Sequence, residues 1–126
     1  MSPNSKARDY RDLIVWQKGI VLAKKVFEFT RRFPSEERFG LISQMRRAAV
    51  SVPSNVAEGQ ARRTTGEFIN SLSHAEGSLA ELDTQLVLSS EFNYCTLEQV
   101  KEMHAAIFEL RRMLNALRRT LREKQP

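Results

Sequence analysis

The segment Gln44-Met-Arg-Arg-Ala-Ala-Val-Ser-Val-Pro-Ser-Asn-Val-Ala-Glu-Gly59 predicts a helix with an apolar row and a polar row side by side. The apolar row recurs at three-four spacing and consists of Ile42, Met45, Ala49, Val52 and Val56. The polar row has the same spacing and consists of Gln44, Arg47, Ser51, Asn55 and Glu58. Because this row lies beside the core, it needs hydrogen-bonding partners in its own bundle or in another subunit. Pro53 predicts a kink in this helix, at a cost of roughly 3 kcal/mol.

Two polar residues of the next predicted helix, Ser78 and Glu81, are natural counterparts of the polar row. They lie next to small residues, among them Gly77, that would let a neighbouring helix approach closely. We interpret the two sets together as a structural polar network or a subunit interface rather than a catalytic site. Its predicted members are Gln44, Arg47, Ser51, Asn55, Glu58, Ser78 and Glu81.

Four helices account for nearly the whole chain. We expect the first to start at an N-cap, Asp12, and to reach Phe33, where Pro34 stops it. It carries two apolar lines, one through Ile20 and Phe27 and one through Leu22 and Val26, and one of them is expected to face another subunit or a partner. The second helix should begin at Glu36 or Phe39 and end at Glu58, with Gly59 as its C-terminal cap.

The third and fourth predicted helices begin at residue pairs with capping-box spacing, Thr64 with Glu67 and Thr96 with Gln99. Each then carries a regular apolar seam of heptad type. The third seam, to about Glu91, is Phe68, Leu72, Ala75, Leu79, Leu82, Leu86 and Ser89; the fourth is Val100, Met103, Ile107, Leu110, Leu114, Leu117 and Leu121.

Short connections between four helices predict an all-α, antiparallel up-down-up-down four-helix bundle. The expected organisation is a flexible basic N-terminal arm over residues 1–11, the bundle over residues 12–122 and a C-terminal tail over residues 123–126. At 126 residues the chain has the length of one domain. Its only cysteine is Cys95 and it contains no long apolar run, so we expect residence in a reducing cytoplasm and no membrane partner.

The chain has 20 Lys and Arg against 15 Asp and Glu, and the bundle topology concentrates the excess at one end. No Lys or Arg occurs between Thr64 and Val100, whereas arginine repeats by seven near the C-terminus. Arginine suits phosphate binding because its planar fork donates two hydrogen bonds at once. Contact with nucleic-acid phosphates and a merely solvated face that complements the helix dipole both fit this pattern. The candidate binding residues are Arg62, Arg63, Arg111, Arg112, Arg118, Arg119, Arg122 and Lys124.

The sequence contains no signature of a catalytic or metal site. A di-iron bundle needs Glu-x-x-His pairs, but Ser71 precedes His74 and Lys101 precedes His104 at that spacing. No glycine-rich phosphate loop is present. We therefore expect no metal, no cofactor and no enzymatic activity.

Several ordered motifs resemble a known family. They are Asp12-Leu-Ile-Val-Trp-Gln17, Phe33-Pro34, Gly40-Leu-Ile-Ser-Gln44, Arg46-Arg-Ala-Ala-Val-Ser-Val-Pro-Ser-Asn-Val-Ala-Glu-Gly59 and Gly77-Ser-Leu-Ala-Glu-Leu82. Together they are similar to the four-helix bundle proteins encoded in intervening sequences of bacterial 23S ribosomal RNA genes. This resemblance implies an antiparallel bundle assembled as a homopentameric ring. It also implies kinship with the accessory variability determinant of diversity-generating retroelements, a basic pentamer that binds nucleic acid and a reverse transcriptase.

These observations favour a non-enzymatic cytoplasmic oligomer whose basic end contacts structured RNA or DNA. The alternative is a structural or adaptor bundle that binds another protein through the second apolar line of the first helix. An enzyme would be motivated only by the clustered Arg47, Asn55 and Glu58.

Overall fold

The computed structural model describes residues 9–125 of the chain. It contains four helices, α1 (Ile14–Thr30), α2 (Leu41–Ala61), α3 (Thr65–Glu91) and α4 (Leu97–Glu123), and two short 3-10 turns at Tyr10–Asp12 and Ser35–Glu37. Residues 1–8 of the predicted arm and residue 126 of the predicted tail lie outside the described residues. At about 1.5 Å per residue, α3 and α4 are each about 40 Å long.

Consecutive helices pack against each other, and α1 also contacts α4, so the four helices enclose one core. Residue numbers on facing helices run in opposite directions, as they must in an antiparallel pair. The contacts that show this are Gly19 with Pro53 and Thr30 with Arg46, Ser51 with Ser78 and Gly59 with Ser71, and Asp83 with His104 and Glu76 with Arg118. The predicted all-α up-down bundle is confirmed.

The predicted seams of α3 and α4 form the core. Every seam residue from Leu72 to Ser89 is buried, as are those from Met103 to Leu117, while Phe68, Val100 and Leu121 at the outer ends are half-buried. On α2 the apolar row is buried from Met45 to Val56. Hydrophobic periodicity therefore located the core correctly on three helices.

Helix α1 separates its two apolar lines. Leu22 and Val26 lie in the core, whereas Ile20 and Phe27 are exposed. Phe27 lies beneath Arg46 of α2, whose guanidinium carbon is 4.6 Å from the ring centroid. The same guanidinium donates to the Phe27 carbonyl and to Thr30 Oγ1, and so binds the last turn of α1.

Both predicted caps at the starts of α3 and α4 are confirmed. Thr64 Oγ1 accepts a hydrogen bond from the N–H of Glu67. Thr96 and Gln99 form a complete capping box, in which each side chain accepts a bond from the other residue's N–H.

The predicted ends of α1 and α2 were wrong. Asp12 lies in the 3-10 turn, and α1 begins one residue after Leu13 without a side-chain cap. Gly59 is not a cap but a buried residue inside α2, which continues to Ala61. A Cβ atom at Gly59 would lie 2.5 Å from Ser71 Cβ, so the glycine serves the close approach of α2 and α3.

The start of α2 is set by Glu37, which lies in the second 3-10 turn. Its Oε1 accepts from the N–H of Leu41 at 3.1 Å, and its Oε2 accepts from the Tyr94 hydroxyl at 2.7 Å. These two hydrogen bonds lower the pKa of Glu37 below its ordinary value, Tyr94 having the larger effect. One carboxylate therefore caps α2 and attaches the α3–α4 turn to it.

Candidate nucleic-acid interface

The predicted basic residues gather at the end of the bundle where α2 leads into α3 and α4 terminates. The side-chain amide of Gln125 lies over Gly66 in the first turn of α3, which shows that the two segments meet. Arg62 adopts an extended backbone after the last turn of α2. The arrangement brings Arg62, Arg63, Arg118, Arg119, Arg122 and Lys124 to one end, with Arg111 and Arg112 further along α4.

Glu76 of α3 opposes the predicted arginine strip. Arg118 Nη1 lies 3.0 Å from Glu76 Oε2, and each side chain is only 19% exposed. Burial raises the pKa of Glu76, while Arg118, Arg111 and Arg122, in decreasing order of effect, lower it. Three of the predicted phosphate-binding arginines therefore share one carboxylate, and Arg118 is held against it.

The Glu76–Arg118 ion pair leaves one polar atom of each side chain without a hydrogen bond within residues 9–125. Arg118 Nη2 donates to Asn115 Oδ1 at 3.2 Å. Glu76 Oε2 and Arg118 Nε are buried without a hydrogen-bond partner among the described residues, so the contact is an ion pair of poor hydrogen-bond alignment. We conclude that this pair contributes little to stability while it keeps Arg118 partly withdrawn from solvent.

Arg62 is the second predicted residue with an internal partner. Its Nη2 lies 2.7 Å from Glu58 Oε1, one helical turn earlier, and both side chains are more than half exposed. Hydrogen bonding and attraction from Glu58 raise the pKa of Arg62. An exposed pair of this kind contributes little to stability because solvent screens it, and a phosphate can replace the carboxylate at small cost.

The other predicted cations point outward. Within residues 9–125 no carboxylate lies at ion-pair distance from them. These residues are Arg63, Arg111, Arg112, Arg119, Arg122 and Lys124, and all six are exposed.

The polar row of α2 is brought together only in its middle. Ser51 Oγ donates to the carbonyl of Ala48 and lies 2.5 Å from Ser78 Oγ on α3. Asn55 Nδ2 donates to the carbonyl of Ser51. Gln44, Arg47 and Glu81 are exposed, and Glu58 pairs with Arg62. The row is therefore an open polar face on the α2–α3 side of the single chain.

Comparison with protein families gives a match over residues 11–116 to the 23S rRNA-intervening sequence protein. The chain belongs to this family. No curated protein matches it. Among solved structures, it is similar to the crystal structure of a protein with unknown function from the S23 ribosomal protein family of Bacteroides thetaiotaomicron. That protein is 21% identical, with a TM-score of 0.77 over 84% of this chain and 96% of the other, and the similarity shows the fold.

The family match ends at residue 116, so the last turns of α4, with Arg118, Arg119 and Arg122, lie beyond it. The predicted basic residues therefore lie partly within the matched region and partly after it. Residues 9–125 contain no cluster of three or more side chains suited to hold a metal ion. None of the helices in this range combines the length and hydropathy needed to span a membrane.

Sequence reasoning missed two residues beside the basic strip, Glu76 and Phe108. Glu76 lies on the edge of the α3 seam, and its role depends on the register of α3 against α4. Phe108 follows the buried α4 seam residue Ile107 and precedes Arg111 in sequence, but its own side chain is 51% exposed. Its four-residue spacing from His104 and Arg112 was a signal that could have identified it.

Proposed function

We propose that this member of the 23S rRNA-intervening sequence protein family is a non-enzymatic, cytoplasmic, self-associating bundle that binds structured RNA or DNA through phosphates at its basic end. One observation carries the proposal. Six exposed cations lie along the second half of α4 and in the α2–α3 loop, and none of them is within ion-pair distance of a carboxylate among the described residues.

The electrostatics of this end favour an anionic polymer over a small anion. Glu76 is surrounded by three arginines, so the cluster retains positive charge after its internal ion pair is counted. Arg112 and Arg119 are seven residues apart and therefore lie on the same side of α4, about 10 Å apart along its axis. A row of this length can contact successive phosphates, and each contact releases counterions.

A paired charge reversal tests the proposal. Arg112→Glu combined with Arg119→Glu should weaken binding of a fluorescently labelled RNA hairpin at low salt by roughly 10-fold or more, because two phosphate contacts become repulsive. The matched control, Arg31→Glu with Arg32→Glu at the opposite end of the bundle, should bind like wild type. Equal affinity for the hairpin in both double variants would refute this location of the site.

Self-association is the second part of the proposal, and two surface features support it. Ile20, Phe27 and Val50 are exposed along the α1–α2 side, and the core of the single chain does not bury them. Gly77 lies exposed within α3, and a Cβ atom there would contact nothing within 4 Å. Glycine in a helix interior costs about 1 kcal/mol relative to alanine, so a close approach by another chain would account for it.

We propose that the assembly is a homopentameric ring, as the resemblance to the intervening-sequence family implies, and that the chain is related to the accessory variability determinant of diversity-generating retroelements. Light scattering should give five times the mass of one chain. The Arg112→Glu with Arg119→Glu variant should keep this mass, because its substitutions lie on α4 and not among the α1–α2 apolar residues. A stable monomer at micromolar concentration would contradict this part.

The exposed Ile20, Phe27 and Val50 also favour a second candidate function, an adaptor that binds another protein. Nuclease treatment distinguishes the two. Partners recovered with the tagged chain should disappear after nuclease if nucleic acid holds them, and should remain if the apolar residues bind a protein directly.

A further inference from the structure

An aromatic side chain lies exposed on the basic helix α4, flanked by two other planar groups. Phe108 stacks on His104, with ring centroids 6.2 Å apart and planes inclined by 28°. On its other side the guanidinium carbon of Arg112 is 5.5 Å from the Phe108 centroid. His104, Phe108 and Arg112 follow each other at four-residue spacing and therefore form one row along the outer face of α4.

Helix α3 contacts one end of this row. Asp83 of α3 binds His104, with Oδ1 2.8 Å from Nδ1. This contact restricts the imidazole, which lies against the phenyl ring. Side chains already ordered in the free protein lose little conformational freedom when a ligand rests on them.

Packing in the core does not account for a phenylalanine at position 108. The buried residues of this part of α4 are Met103, Ile107 and Leu110, and Phe108 points away from them with half of its surface exposed. Pairing with His104 and Arg112 contributes only a few tenths of a kcal/mol on a helix surface. The phenyl ring is therefore half-exposed, and the exposed guanidinium over it is held weakly enough for a base to take its place, where neighbouring cations attract phosphates.

We propose that His104, Phe108 and Arg112 form a stacking platform for unpaired bases of a single-stranded RNA or DNA segment. The inference rests on the proposed function and adds to it the form of the ligand. A base takes the place of the Arg112 guanidinium over the phenyl ring, the guanidinium then makes its cation–π contact with the base, and the strand continues toward Arg119 and the basic end. A continuous duplex cannot use the platform, because its bases are already stacked on one another.

The test compares one protein with two ligands. Phe108→Leu keeps an apolar side chain but removes the π-face. It should weaken binding of a labelled single-stranded oligonucleotide roughly 5- to 100-fold, the range associated with loss of one base–aromatic stack, and leave binding of a blunt duplex within about twofold. Phe39→Leu is the matched control, since Phe39 is 88% exposed beneath Arg38 at the opposite end of the bundle.

A second variant gives a direct signal. Phe108→Trp, in a Trp16→Phe background that removes the only other tryptophan, should keep single-strand affinity and lose fluorescence when the oligonucleotide binds. The platform would be refuted by unchanged single-strand affinity in Phe108→Leu, by equal losses for strand and duplex, or by tryptophan emission that does not respond. In each of those cases wild-type binding would still support the basic end. Absence of wild-type binding to either ligand would overturn the proposed function and the platform together.

Discussion

The close approach of α2 and α3 at Gly59 gives the sharpest stability prediction. A Cβ atom introduced by Gly59→Ala would lie 2.5 Å from Ser71 Cβ and 3.0 Å from Phe68 Cδ1, whereas ordinary carbon contacts begin near 3.5 Å. Because both Cβ atoms are fixed to helix backbones, the helices must separate by about 1 Å. Such overpacking lowers the free energy of unfolding by about 3 kcal/mol, and the better helix propensity of alanine offsets about 1 kcal/mol of this. The expected net loss is about 2 kcal/mol.

Thermal and urea denaturation measure this loss. For a chain of this length, 2 kcal/mol corresponds to a decrease in Tm of roughly 6–12 °C. Adding Ser71→Gly removes the opposing Cβ and should restore part of the loss, so the two substitutions should not be additive. A Gly59→Ala protein as stable as wild type, or a double variant no more stable than the additive sum, would refute the packing argument.

Three further predictions follow from the same contacts. Gly77→Ala should raise the stability of a dissociated chain by about 1 kcal/mol but weaken self-association, measured by denaturation and light scattering; unchanged assembly would remove Gly77 from the interface. Glu37 has a lowered pKa, so its contribution to stability is present above its ordinary pKa of 4.5 and is lost as the pH falls through the lowered pKa of the folded state. Tyr94→Phe should reduce this loss of stability in acid, measured by urea titrations at successive pH values. An identical pH profile in wild type and variant would contradict the assignment. Glu76→Gln removes the carboxylate that opposes Arg118 and should tighten hairpin binding by releasing that arginine; weaker binding would show that Glu76 positions Arg118 for the ligand.

The bundle could be predicted from the sequence because its information is local. The α3 and α4 seams repeat at helical spacing, and the Thr64 and Thr96 caps depend only on residues three positions away. The ends of α1 and α2 could not be predicted in the same way. Glu37 caps α2 from a separate 3-10 turn, and Gly59 is inside the helix because Ser71 of α3 occupies the space a side chain would need.

The candidate interface was predictable in composition but not in pairing. Arginine spacing placed the strip on α4, yet only the register between α3 and α4 shows that Glu76 faces Arg118. The polar row of α2 was expected to need partners in its own bundle or in another subunit. In the single chain only Ser51 finds one on another helix, and solvent is available to Gln44 and Arg47. Periodicity gives the side of a helix on which a residue lies, whereas pairing requires the offset between helices.

The most direct test of the central claim is the salt dependence of nucleic-acid affinity. For the wild-type chain, the logarithm of the association constant for an RNA hairpin should fall linearly with the logarithm of salt concentration, because binding releases counterions from phosphates. In Arg112→Glu with Arg119→Glu the slope should be shallower by about two, one for each lost phosphate contact. No detectable binding at low salt, or the same slope in wild type and variant, would contradict phosphate recognition by this end of α4.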